Sequence, residues 1–132
     1  MSGRFTGKLQ VEFGDWGPAV GRMAQTLAPI TWECGEVLVV IPAGTISDGA
    51  TVPRPLWWFL PPWGDEATLP AVLHDFIGER LDNRAPLRGC ETRARCDAQF
   101  YEALRARGVA AWRARLVWLG VRAYSVASGR IP

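Results

Sequence analysis

SDGATVPRPLWWFLPPWG, residues 47–64, separates two halves of the chain whose hydrophobic patterns have different periods. It holds Pro53, Pro55, Pro61 and Pro62 together with Trp57, Trp58 and Trp63, three of the chain's seven tryptophans. Proline fixes its own φ and restricts the residue before it, so such a run neither continues a helix nor joins a central strand ladder. It also loses less entropy on ordering than an ordinary loop of its length. Residues 49–64 therefore read as a Pro/Trp-rich connection held in one shape. Its tryptophans either seal one half against the other or form an aromatic rim for a site or partner.

On the N-terminal side, residues 1–48 are strand-rich. Leu9, Val11 and Phe13 alternate with Lys8, Gln10 and Glu12, the period-two pattern of a half-buried strand. Ile30 to Glu33 and Val37 to Ile41 are further β-prone runs, and Cys34-Gly35-Glu36 between them reads as a tight hairpin turn. Pro42 to Gly44 interrupts the chain before a short stretch from Thr45 to Ser47. The expectation is a small antiparallel sheet of three to four strands.

On the C-terminal side, residues 65–128 are helical. Leu69, Val72, Leu73, Phe76 and Ile77 recur at helical spacing between Glu66 and Arg80, behind a cap-like Gly64-Asp65. Asn83 to Gly89 is turn-rich. Glu91 to Arg107 predicts a second helix with Ala94, Ala98, Tyr101 and Leu104 inward, ended by Gly108. Val109 to Ala127 predicts a third, with Trp112, Leu116, Leu119 and Ala123 on its inner stripe and Arg113, Arg115 and Arg122 away from it. Strands followed by segregated helices define an α+β fold, a small sheet and then a three-helix half.

A length of 132 residues suits one domain, so residues 1–132 are read as a single unit. With 15 Lys+Arg against 13 Asp+Glu, the net charge of +2 gives no electrostatic footprint for nucleic acid over the whole surface. No helix-turn-helix, zinc-finger or RNP pattern is present either, and no nucleic-acid partner is expected. Cys34, Cys90 and Cys96 are odd in number and include no CxxC pair, which favours reduced thiols over a disulfide framework and lacks the close pairs of structural zinc sites. No apolar run reaches the roughly 18 residues of a membrane span, and the N-terminus has no signal-peptide core. A protein made in the cytoplasm is expected.

The chemistry centres on His74, the one histidine, and its neighbour Asp75. On a helix they lie about 100° apart in projection, so they cannot both enter one apolar stripe. If the first two helices pack antiparallel, Asp97 can reach the imidazole, fix its tautomer and leave the other ring nitrogen as a base. Asp75 would then face a space where a cation could sit. The competing reading of His74 is a satisfied core histidine bridging helices. Asp48 has two readings as well, site residue or ordinary Asp-Gly turn chemistry.

His74-Asp75 and Cys96-Asp97 resemble, over about a third of the chain, the paired catalytic helices of secreted phospholipase A2. That resemblance implies that His74 activates water, Asp97 orients it, and Asp75 holds calcium to polarise an ester carbonyl. Gly78 stands where that family usually has a tyrosine, and the flanking disulfide cysteines and glycine-rich calcium loop have no counterpart.

A longer resemblance is carried, in order, by IPAGTISDGATVPRPLWWFLPPWG, AVLHDF, RCDAQFYEALRARGV and the final Trp/Arg-containing helix. Together they resemble the phage and prophage family known as domain of unknown function 1353. The resemblance implies phage or prophage origin near tail or lysis genes, with Asp48, His74, Asp75 and Asp97 as the converging polar positions. Two functions follow as expectations. One is a virion component of the tail or baseplate, with other phage structural proteins as partners and Trp57, Trp58 and Trp63 at the contact. The other is a small phage-encoded hydrolase acting on the host envelope through His74, Asp97 and Asp48, with calcium at Asp75 as its candidate cofactor.

Overall fold

The computed structural model describes residues 3–7, 11–14, 23–47 and 68–127. Six strands precede three helices: β1 (Gly3–Thr6), β2 (Val11–Gly14), β3 (Met23–Thr26), β4 (Ile30–Cys34), β5 (Val37–Ile41), β6 (Ile46–Ser47), α1 (Thr68–Asp82), α2 (Arg93–Ala106) and α3 (Ala111–Ala127). The α+β order is the expected one. The strands divide into two antiparallel three-stranded sheets, β1-β4-β5 and β2-β3-β6, because β1 and β3 join the runs legible from periodicity. Asp48, Trp57, Trp58 and Trp63 lie outside the described residues, as does the Gly64-Asp65 cap.

The β4–β5 hairpin sets the core. Cys34 pairs with Val37, so the loop is Gly35-Glu36, and Gly35 has φ 58° at the first loop position, where a type II′ turn takes glycine. Alternation then turns Ile30, Trp32, Cys34, Val39 and Ile41 inward and leaves Leu38 and Val40 outside. Trp32 is fully buried, packs against Phe5 of β1 in a tilted contact with ring centroids 4.6 Å apart, and donates Nε1–H to Gln99 Oε1 of α2 at 2.8 Å. The expected break at Pro42 to Gly44 is a turn pinned to β3: Thr26 Oγ1 donates to the Pro42 carbonyl at 2.9 Å and accepts from Thr45 N–H at 3.0 Å.

Helix α2 is the central element of the helical half. Thr92 caps it, its Oγ1 accepting from Arg95 N–H at 3.1 Å. One side of α2 joins Leu69, Val72, Leu73, Ile77 and Leu81 of α1 and the sheet in one apolar cluster, through Cys96 and Ala103. The other side joins α3 in a second cluster, Phe100 and Leu104 meeting Val109, Ala114, Val117 and Val121. Two expected stripes are corrected here. Ala94 and Ala98 of α2 are exposed, and its inner face is Arg93, Cys96, Asp97, Phe100, Ala103 and Leu104. On α3 the inner stripe is Ala114, Val117, Val121 and Ser125, with Trp112, Leu119 and Ala123 on the opposite side and Leu116 half-buried. The cause is the same in both helices: the inward faces carry polar side chains, Arg93 and Asp97 on α2 and Ser125 on α3, that bond to neighbouring helices, so apolar identity alone does not mark which side is buried.

Candidate functional site

Asp97 sits on the inner face of α2 where the two apolar clusters meet, and it is completely buried. A lone carboxylate there would be costly to ionise. Three donors meet it. His74 of α1 lies with Nε2 2.6 Å from Oδ1, while on α3 Arg122 Nη1 donates to Oδ2 at 2.8 Å and Ser125 Oγ donates to the same oxygen at 3.1 Å. Burial pushes the Asp97 carboxyl up, but the bonds and charges of His74, Arg122 and Ser125 outweigh it and hold the group below its ordinary value. Asp97 is thus a carboxylate, able only to accept, and the proton of the His74 contact belongs to Nε2.

The helix order that brings these groups together is antiparallel. His74 meets Asp97, and further along α1 Asp82 is ion-paired with Arg93 at the start of α2. Arg93 is itself buried, and it has room because Gly78 faces it: a Cβ at that position would stand 2.6 Å from Arg93 Nη1. The glycine that breaks the phospholipase pattern after His74-Asp75 therefore has a local reason. The His74 ring is packed against Phe100 at 5.3 Å between centroids, so carboxylate and aromatic together fix its orientation.

The expected pairing of His74 with Asp97 is present, whereas Asp75 is half-buried on the neighbouring sector of α1. Among the described residues no group of three or more His, Cys, Asp and Glu side chains could hold a metal ion. Cys34, Cys90 and Cys96 are buried free thiols. Two clefts lie away from the dyad: one of about 360 Å³ between Gly44 to Ile46 and Phe76, Glu79, Arg80 and Asn83, the other of about 430 Å³ beside Cys34, Val37, Arg95 and Gln99.

Sequence reasoning missed Arg122 and Ser125. Arg122 was assigned to solvent with the other arginines of α3. The signal that would have found the pair is their spacing: three residues apart, they share a helix face next to Val121, one turn from Val117.

Among the described residues no helix is long and apolar enough to cross a membrane. No solved structure matches the chain. The curated protein named "Uncharacterized protein y4jT" of Sinorhizobium fredii is 32% identical over 89 residues, which cover 64% of this chain and 23% of that protein. The chain thus spans about a quarter of that relative's length. The family model described as "Protein of unknown function (DUF1353)" matches residues 25–121, a span that takes in β4, β5, α1, α2, and with them His74, Asp97 and Gly78. With most of its length so matched, the chain belongs to the DUF1353 family.

Proposed function

We propose that this protein is a phage or prophage tail or baseplate component whose His74–Asp97 pair is a general-base site for hydrolysing a bond in the host envelope. The setting rests on the resemblance to a phage and prophage family. The chemistry rests on one observation: a fully buried carboxylate holds the single histidine at 2.6 Å through Nε2. With Nε2–H committed to Asp97, general-base chemistry requires Nδ1 as the ring atom that takes a proton from water. The carboxylate then stabilises the imidazolium that forms. Arg122 balances the Asp97 charge, so a fixed cation holds the carboxylate ionised beside the ring.

The test is release of fatty acid from phospholipid vesicles and of soluble fragments from purified peptidoglycan. Release by the wild type that is abolished in His74→Gln and sharply reduced in Asp97→Asn is the expected result. Folded wild type that releases nothing from either substrate removes the hydrolase, and the tail assignment is then checked by whether the protein copurifies with particles.

A second reading is favoured by the saturation of Asp97. Its two oxygens accept from α1 and α3 at once, so the same cluster can serve only to lock three helices. Nitrogen NMR of His74 separates the two readings. A ring whose Nδ1 exchanges protons with solvent supports the base, and one whose Nδ1 is closed to solvent supports the clamp.

A further inference from the structure

Helix α3 is apolar on two opposite sides. Its inner stripe packs on α2, while on its back Trp112, Leu119 and Val126 are 64%, 52% and 72% exposed, with Ala123 exposed between them and Leu116 half-buried. At 1.5 Å per residue this stripe runs about 21 Å along the helix.

The charge around the stripe is one-sided. Helix α3 has Arg113, Arg115 and Arg122 and no acidic residue, and Arg122 is turned to Asp97, so Arg113 and Arg115 are the cations beside the stripe. Arg113 and Arg115 flank the stripe on its two sides, and Tyr124 stands exposed on the Arg113 side. An apolar face with an exposed tryptophan, bordered by arginines, fits a boundary between an apolar and an anionic layer. We infer that the back of α3 docks onto an anionic lipid surface, with Trp112, Leu119 and Val126 entering the headgroup boundary and Arg115 meeting lipid phosphate.

A second copy of the chain fits this face poorly. A two-fold pairing along α3 brings arginine toward arginine, and the helix has no acidic side chain to answer them. Among the described residues no helix is long and apolar enough to span a bilayer, and α3 itself carries three arginines. The surface does not rest on the His74 reading, because lipid binding is measured without turnover and the two can fail separately.

The experiment is co-sedimentation of the whole chain with phosphatidylcholine vesicles with and without phosphatidylglycerol. The wild type should partition onto the anionic vesicles, remain free of the neutral ones, and be released by salt. Replacing both Leu119→Glu and Val126→Glu should weaken partition by more than about tenfold, and Arg115→Gln by about fivefold. These side chains are exposed, so circular dichroism should match the wild type. Arg115→Gln, which adds no charge, keeps the test sound if the double variant misfolds. Wild type that stays in the supernatant with anionic vesicles overturns the inference, as does a folded double variant that binds them equally. A wild-type dimer that the double variant abolishes, without vesicle binding, reassigns the face to self-assembly and overturns it too.

Discussion

Asp97 and His74, 23 positions apart in sequence, are joined by a 2.6 Å hydrogen bond that crosses from the central helix to the first. The carboxylate has no exposure to water, so its whole solvation is supplied by His74, Arg122 and Ser125. Loss of any one donor is felt by the others.

Removing the carboxylate is expected to be among the most damaging single changes in the helical half. Asp97→Ala takes the shared acceptor from Arg122, His74 and Ser125, and breaking a buried pair in this way costs about 3–5 kcal/mol. Ser125→Ala removes one of three donors and should cost only about 1 kcal/mol. Urea unfolding of the two variants measures both, and equal losses would contradict the central place given to Asp97.

Acid should weaken the fold through the same group. Asp97 is held below its ordinary value of 3.8 in the folded chain, so its contribution is complete above that value and is lost as pH falls through the lower folded one. The pH dependence of the urea midpoint should therefore drop more steeply in this acidic window for wild type than for Asp97→Asn. Parallel curves would show that Asp97 is not held ionised.

Gly78→Ala sets two effects against each other. Alanine favours a helix interior by about 1 kcal/mol over glycine. Its Cβ, however, would stand 2.6 Å from Nη1 of Arg93 and push that side-chain tip off its pairing with the half-exposed Asp82, at a cost of about 1 kcal/mol. The two effects nearly cancel, and the melting temperature should stay within a few degrees of the wild type. A loss of about 3 kcal/mol or more would mean that Arg93 cannot move aside.

Gln99→Ala takes the acceptor from Trp32 Nε1. An unsatisfied buried donor costs about 1–3 kcal/mol. The cleft beside Gln99 and Cys34 lets water replace the lost amide, which puts the expected loss near the lower end. Gln99→Glu keeps an acceptor and should lose less.

Much of this architecture is legible in the chain itself, for reasons that differ by element. β4 and β5 announce themselves because alternation and a glycine turn coincide, and α1 does so because all its large apolar residues share one side. β1, the segment GRFT, has no such pattern and exists through pairing with β4. The inner faces of α2 and α3 were misjudged where Asp97, Arg93 and Ser125 stand inward and Trp112 and Leu119 outward. His74 and Asp97 were identifiable as partners from residue type and helix order, but Arg122 was not, because an arginine on an amphipathic helix looks the same whether it meets water or a buried carboxylate.

The position of Asp97 on the middle of three helices also bears on the order of events at the ribosome. His74 is synthesised before it, but Arg122 and Ser125 come 25 and 28 residues later. A nascent chain that has emerged only as far as α2 can close it on α1 with a single protein donor for that carboxylate, whose other oxygen stays on water until α3 arrives. A chain stalled short of Arg122 would leave the α3-facing apolar side of α2 uncovered.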